Sequence, residues 1–259
     1  MYLTFHAITC QFRADHGSFV GQWCHALGVF GSTTFGWSTD TRRWGWRILA
    51  LPCGLHYPDA VTLYIARHGQ TDWNLRGRWQ SRSDVPLNDT GRGQAENLRQ
   101  ELVRRQVNFT AALSSPLDRA LETARILLAG SDIQAQVELA LAELDLGHYE
   151  GRYESAVKVS MGAGYDRWRD SMMQVPAPGG ESIDDVAARL TPLVEWLRSS
   201  KEVILLVGHQ YVNMALKAKL SGCFSTECLK AYKQANDEID VWSLDPPGLI
   251  SRLAVGEPG

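Results

Sequence analysis

Val61-Thr62-Leu63-Tyr64-Ile65-Ala66 runs directly into Arg67-His68-Gly69, and the rest of the chain is best understood outward from this junction. A short run of apolar, aromatic and β-branched residues that stops at glycine is the pattern of a buried parallel strand opening into a loop. Val203-Ile204-Leu205-Leu206-Val207 repeats the pattern, ends on Gly208-His209, and precedes an amphipathic segment carrying Val212, Ala215, Leu216 and Leu220. Ala111-Ala112-Leu113 predicts a third strand and residues 239–244 a late one. Helical patterns lie between them. Asp89 or Thr90 is expected to cap a helix whose apolar face is Ala95, Leu98 and Leu102. Ser115-Pro116-Leu117-Asp118 predicts another helix start, with a serine cap, proline at the first helical position and an acid three residues after the cap. Ser182 and Asp185 form a capping box ahead of a stripe of Val186, Leu190, Leu193 and Leu197, which Pro192 should kink or divide. Strands alternating with helices predict an α/β fold: three α/β/α layers around a mainly parallel sheet.

The chain has 259 residues, enough for one such domain and something extra. The extra is residues 1–60, which hold four tryptophans (Trp23, Trp37, Trp44, Trp46) and three of the five cysteines but show no period of 2 or 3.6. The preferred reading is an irregular extension, poorly ordered or a start-site artefact; a lid, an oligomerisation arm or a targeting piece is the alternative. The domain proper is then 61–259. A formal net charge of -3 without a Lys/Arg run argues against nucleic acid or an anionic membrane as partner. Cysteines at 10, 24, 53, 223 and 228 are odd in number and lack a Cys-x-x-Cys pair, which favours reduced thiols over a disulfide framework or zinc knuckle. No run of about twenty apolar residues and no basic-then-apolar leader is present, so a cytoplasmic protein is expected. Its oligomeric state is left open, a homodimer being one option.

His68 and His209 both follow strand-like runs, and ligands of open α/β sheets bind beyond the carboxyl ends of the strands. The two can therefore converge. Gly69 would let an anion approach the backbone. Arg119, in the first turn of its helix, adds a cation where helical side chains lean toward the N-terminus and anions are favoured.

Arg67-His68-Gly69-Gln70-Thr71-Asp72-Trp73-Asn74 resembles the signature of the histidine phosphatase superfamily, which includes phosphoglycerate mutases and many small-molecule phosphatases. The likeness runs from about Val61 to Leu244, through Arg78, Asp84-Val85-Pro86-Leu87-Asn88, Ser114-Ser115-Pro116-Leu117-Asp118-Arg119-Ala120, the stretch from Glu143 to Gly151, Pro178-Gly179-Gly180-Glu181-Ser182 and Gly208-His209. The resemblance implies a phosphoglycerate mutase-like fold with His68 as the nucleophile that becomes phosphohistidine. Arg67, Arg119 and His209 would hold the phosphoryl oxygens, and Glu143 would be the general acid and later base, with Asp145 and Glu150 as alternatives. Asn74 and Arg78 match positions lining the phosphate end of the pocket, although Asn74 also reads as a cap residue and Arg78 as a solvated charge. His148 reads mainly as a rim residue, and Trp73, Trp79 and Trp168 as core or pocket wall. His6, His16, His25 and His56 have no ligand spacing. Gln210 stands after His209 where the family usually has glycine, and it could narrow the pocket.

Phosphoryl transfer needs mainly positioning and charge stabilisation, which paired arginine donors supply, and a neutral imidazole is a competent nucleophile near pH 7. The expected activity is metal-independent and cofactor-independent hydrolysis of a small-molecule phosphate monoester. A cofactor-dependent phosphoglycerate mutase is the alternative, disfavoured by the compact segment between Glu143 and His209, where the classical mutases carry a longer insertion. A non-catalytic phosphate-binding module would be expected to have lost one of these five groups. Neither His-Glu-x-x-His nor Gly-x-x-x-x-Gly-Lys occurs.

Overall fold

The computed structural model describes residues 62–254. The expectations for residues 1–60, including the tryptophans, His6, His16, His25, His56 and the first three cysteines, lie outside the described residues.

Strand β1 (Thr62–Arg67) leads through the short helix α1 (Asp72–Leu75) to α2 (Asp89–Arg104), β2 (Ala111–Ser114), α3 (Asp118–Leu127) and β3 (Gln136–Val137). Helices α4 (Glu154–Met161), α5 (Tyr165–Asp170), α6 (Ile183–Arg189) and α7 (Thr191–Ser199) follow. Strand β4 (Val203–Gly208), α8 (Gln210–Ser221), α9 (Thr226–Ala231), β5 (Glu238–Leu244) and β6 (Pro247–Ala254) complete the order. The sheet runs β3-β2-β4-β1-β5-β6. Its first four strands are parallel, and β5 and β6 add an antiparallel edge.

Alternation along the central strands divides the core into two layers. Leu63 and Ile65 of β1 and Ile204 and Leu206 of β4 pack toward α6, α7 and α8. Ala66, Leu205 and Val207 pack toward α2 and α3, where Leu98, Leu102, Ala120, Ala124 and Leu127 meet them. A central strand with one apolar set for each layer leaves no polar face, and this accounts for the uninterrupted runs in the sequence.

Several local expectations change. The cap of α2 is Asn88, whose side chain accepts from Gly91 N at 2.8 Å, one residue before the predicted Asp89. Helix α3 begins at Asp118 rather than after Ser115; Leu117 occupies the cap position and cannot bond, and Asp84 instead accepts from Asp118 N at 2.9 Å. The Ser182–Asp185 capping box forms, and the stripe behind it divides at Leu190, with Pro192 in the first turn of α7. Helix α8 is not amphipathic in place: Val212 through Ala218 are all buried, including Asn213 and Lys217, whose ammonium pairs with Asp240 at 2.5 Å. Cys223 and Cys228 are disulfide-bonded, which corrects the expectation of free thiols for these two. The turn into α9 brings their Cα atoms to 6.1 Å, within disulfide reach. Among the described residues no helix is long and apolar enough to cross a membrane.

Candidate active site

Parallel pairing aligns three strand ends. Arg67 is registered with Gly208, and His68 N donates to Gly208 O at 3.1 Å. One strand further, Ser115 N donates to Val207 O at 2.9 Å. His68, His209 and Ser115 therefore stand side by side, each one residue beyond the end of β1, β4 and β2. The imidazole centroids are 5.0 Å apart, and both rings are buried.

His68 Nδ1 lies 2.7 Å from Gly69 O. A carbonyl can only accept, so Nδ1 carries the proton and Nε2 keeps its lone pair. Burial, followed by the nearby Arg119 and Arg67 charges, pushes the His68 pKa well below the ordinary histidine value. His209 is shifted the same way, by burial first and then by Arg119. Both rings are neutral at pH 7. His209 Nε2 meets Ser115 Oγ at 2.7 Å, while its Nδ1 is buried without a partner.

The loop carrying His68 is held on every side. Thr123 Oγ1 accepts from Gly69 N at 3.1 Å and donates to Arg119 O at 2.7 Å, and Asn236 Nδ2 donates to His68 O at 2.7 Å. A Cβ on Gly69 would come within 2.4 Å of Gly91 O, so its missing side chain lets the loop pack on the start of α2.

Arg119 is fully buried in the first turn of α3, its Nη1 and Nη2 donating to Ser83 O at 2.8 Å and Ser81 O at 2.6 Å. Burial lowers its pKa to about 10, which leaves it a cation at neutral pH. Arg67 Nη1 donates to Gln210 Oε1 at 2.9 Å and to Gln234 O at 3.0 Å, while its Nε is buried without a partner. Gln210 thus anchors the Arg67 guanidinium. Arg82, which sequence reasoning missed, donates from Nη2 to Glu181 at 3.0 Å; its buried Nε is also unpartnered, and its charge reaches His209. Buried donors are almost always satisfied, so this group of orphans around the two imidazoles suits an anion.

Glu143 is buried among backbone N–H groups, accepting from Leu144 (2.8 Å), Val212 (3.1 Å) and Tyr211 (3.2 Å), the last two in the first turn of α8. Burial outweighs these bonds and raises its pKa. The alternative acids are occupied: Asp145 accepts from Gly147 N at 2.8 Å, and Glu150 accepts from Ser83 N at 2.5 Å, bracing the loop that holds Arg119.

Asn74 and Arg78 are not brought to the imidazoles by any contact. Asn74 Oδ1 accepts from Thr71 N in the capping box of α1. Arg78 donates from Nε to Gly151 O at 2.7 Å, with its guanidinium 4.6 Å from the Trp73 ring centroid. His148 is exposed. Trp79 stacks on Trp168 at 5.3 Å as a wall. Ser115 and Thr123 were also missed; the only sequence signal was that Ser115 follows a third strand end. Among the described residues no three His, Cys, Asp or Glu side chains gather as a metal site would.

Residues 63–248 match the profile of the histidine phosphatase superfamily (branch 1). A glucosyl-3-phosphoglycerate phosphatase of Mycolicibacterium vanbaalenii is 36% identical over 169 residues, spanning 62% of this chain and 74% of the relative. A 2,3-bisphosphoglycerate-dependent phosphoglycerate mutase of Cytophaga hutchinsonii is 38% identical over 133 residues, spanning 50% of this chain and only 61% of the mutase. The solved structure of a mycobacterial glucosyl-3-phosphoglycerate phosphatase superposes with a TM-score of 0.64 at 30% identity, covering 71% of this chain and 90% of that one.

Proposed function

From the premise that this chain belongs to the histidine phosphatase superfamily, we propose that it hydrolyses a small-molecule phosphate monoester through a phosphohistidine on His68, with residues 61–259 as the catalytic domain. The observation that carries this reading is the His68 Nδ1 contact with Gly69 O, which leaves Nε2 as a neutral, oriented nucleophile. Nε2 attacks phosphorus as the bond to the ester oxygen breaks. Glu143, whose pKa burial raises, gives a proton to the departing oxygen. Its carboxylate then takes a proton from water, whose oxygen attacks phosphorus and breaks the P–N bond, releasing inorganic phosphate. Arg67, Arg119, Arg82 and the His209 Nδ1–H stabilise charge on the transferred oxygens, the orphaned donors gaining partners in the process. Such positioning and electrostatics account for most of phosphoryl-transfer catalysis.

Hydrolysis is favoured over isomerisation because the phosphatase relatives align over more of this chain, 62% and 70%, than the mutases, 50% and 51%. The test is turnover of phenyl phosphate in excess chelator. Phosphate release that disappears in His68→Ala supports the reading, whereas chelator-sensitive turnover or an active alanine variant overturns it. Rapid isomerisation of phosphoglycerate in the presence of 2,3-bisphosphoglycerate, without phosphate release, would favour the mutase.

A further inference from the structure

Strand β5 runs antiparallel to β1, so its beginning, rather than its end, lies at the edge of the sheet where His68 stands. Ile239 pairs with Ala66, and the turn of Asn236 and Asp237 ahead of β5 therefore arrives beside Arg67 and His68. Gln234 stitches this turn down. Its buried Nε2 donates to Ile65 O at 2.7 Å and to Glu238 O at 2.9 Å, and its Oε1 accepts from Asn213 Nδ2 at 3.1 Å. The segment thus has a fixed seat on β1 and α8. From that seat Gln234 O accepts from the Arg67 guanidinium at 3.0 Å, and Asn236 Nδ2 donates to His68 O at 2.7 Å.

Three polar groups of His68 itself are engaged: N donates to Gly208 O, Nδ1 to Gly69 O, and O accepts from Asn236. The first two partners are backbone carbonyls; Asn236 alone is a side chain. His68 O belongs to the same planar peptide as Gly69 N, which donates to Thr123 Oγ1 at 3.1 Å. That plane is therefore clamped at both ends, by Asn236 on the oxygen and by Thr123 on the nitrogen. The clamp matters because the next residue is glycine, whose backbone rotates with little steric resistance. Gly69 O is also the acceptor that orients the His68 ring. If the plane is released, this carbonyl can swing, and the direction of Nε2 swings with it.

We propose that Asn236 is a positioning residue for phosphoryl transfer: by holding the His68–Gly69 peptide it keeps His68 Nε2 aimed at phosphorus, acting through His68 and not on the substrate. The proposal rests on the phosphatase reading and adds a residue to it. The Arg67 guanidinium is seated separately, on Gln234 O and Gln210 Oε1. Loss of the Asn236 amide therefore spoils the line of attack and leaves the phosphate-binding cations in place. A misplacement on the order of 1 Å at a reacting atom costs about 10²-fold in rate.

The experiment compares the full-length native chain with Asn236→Ala and with Asn236→Leu, which keeps the branched shape but cannot donate. The substrate is 4-nitrophenyl phosphate, whose leaving group departs without a proton, so kcat/KM reports the nucleophile rather than Glu143. Two inhibitors separate alignment from binding: inorganic phosphate needs only the anion-binding groups, whereas orthovanadate resembles the transition state by bonding to an aligned nucleophile. The expected result is a fall in kcat/KM of about 10–100-fold in both variants, with vanadate inhibition weakened to a similar extent and phosphate inhibition within about twofold of native. An unfolded fraction would lower the rate but move neither inhibition constant. Such a pattern, equal weakening of both inhibitors, or native kcat/KM in either variant would overturn the positioning role. A native chain that releases no nitrophenol would instead overturn the phosphatase reading, and the positioning role with it.

Discussion

The floor of the site and its wall are built by different physics. The floor consists of three neighbouring parallel strand ends, β1, β4 and β2, whose hydrogen-bond register alone places His68, His209 and Ser115 together. The wall is assigned to α4, α5 and the loop after them, with Arg169 of α5 donating to Tyr211 Oη and Trp168 stacked on Trp79. Only Val157, Tyr165 and Trp168 of those two helices are buried, while Val159 is 83% exposed. A sheet register cannot shift without turning the core inside out, whereas short helices pinned by a few aromatics can be rebuilt around a new ligand. We therefore assign the reaction to the floor and the choice of ester to the wall.

The largest effect that could break this division is at His68. His68→Ala should reduce kcat on any ester by on the order of 10⁴-fold or more. Retained turnover in a stopped assay would remove the floor's claim to the chemistry. Glu143→Gln should cost about 10²–10⁴ in kcat/KM. Since the first step needs a protonated acid and burial raises this pKa, activity should fall as pH rises through the folded value. The glutamine variant should lose that alkaline limb, and an unchanged pH profile would exclude Glu143 as the acid.

Ser115→Ala strips His209 Nε2 of its buried partner, which costs about 1–3 kcal/mol and lowers kcat/KM about tenfold, with recovery in Ser115→Thr. An effect on KM alone would mean that Ser115 only shapes the pocket. The floor should also determine acid stability. His68 and His209 are neutral in the fold at pH values where the unfolded chain begins to bind protons, so stability falls as pH drops below about 6.5. The slope should be about 1.4 kcal/mol per pH unit per histidine, and denaturant titrations of His209→Asn should show a shallower loss. The smallest effect belongs to the wall: Arg169→Ala should change KM by several-fold, to different extents for different esters, with kcat for phenyl phosphate altered much less. A uniform collapse of kcat across esters would erase the distinction between wall and floor.

The same contrast explains what could be read from sequence. β1 and β4 were legible because a strand buried on both faces has no polar residue to interrupt it, and the break between α6 and α7 because Pro192 cannot continue a helix. The wall was not, since α4 buries a single residue and leaves no stripe to count. Strand β6 escaped as an exposed edge opening on Pro247. In the site, His68, Arg67, Arg119, His209 and Glu143 came from the motif and its neighbours. Ser115 was assigned to a cap because its local spacing suited one; its hydroxyl accepts from Leu117 N at 3.3 Å but also meets a histidine 94 positions away, a distance that no local pattern encodes. Asn74 carried both readings from the sequence, and its Oδ1 forms the capping bond to Thr71 N.

The central claim is a covalent bond between His68 and the phosphoryl group. Quenching the full-length chain in alkali during turnover of an ester with a radiolabelled phosphoryl group, then mapping the label by peptide, tests it directly. The account predicts an acid-labile label on the peptide containing His68, absent from His68→Ala. Turnover without any protein-bound label, or a label on another residue, would contradict it.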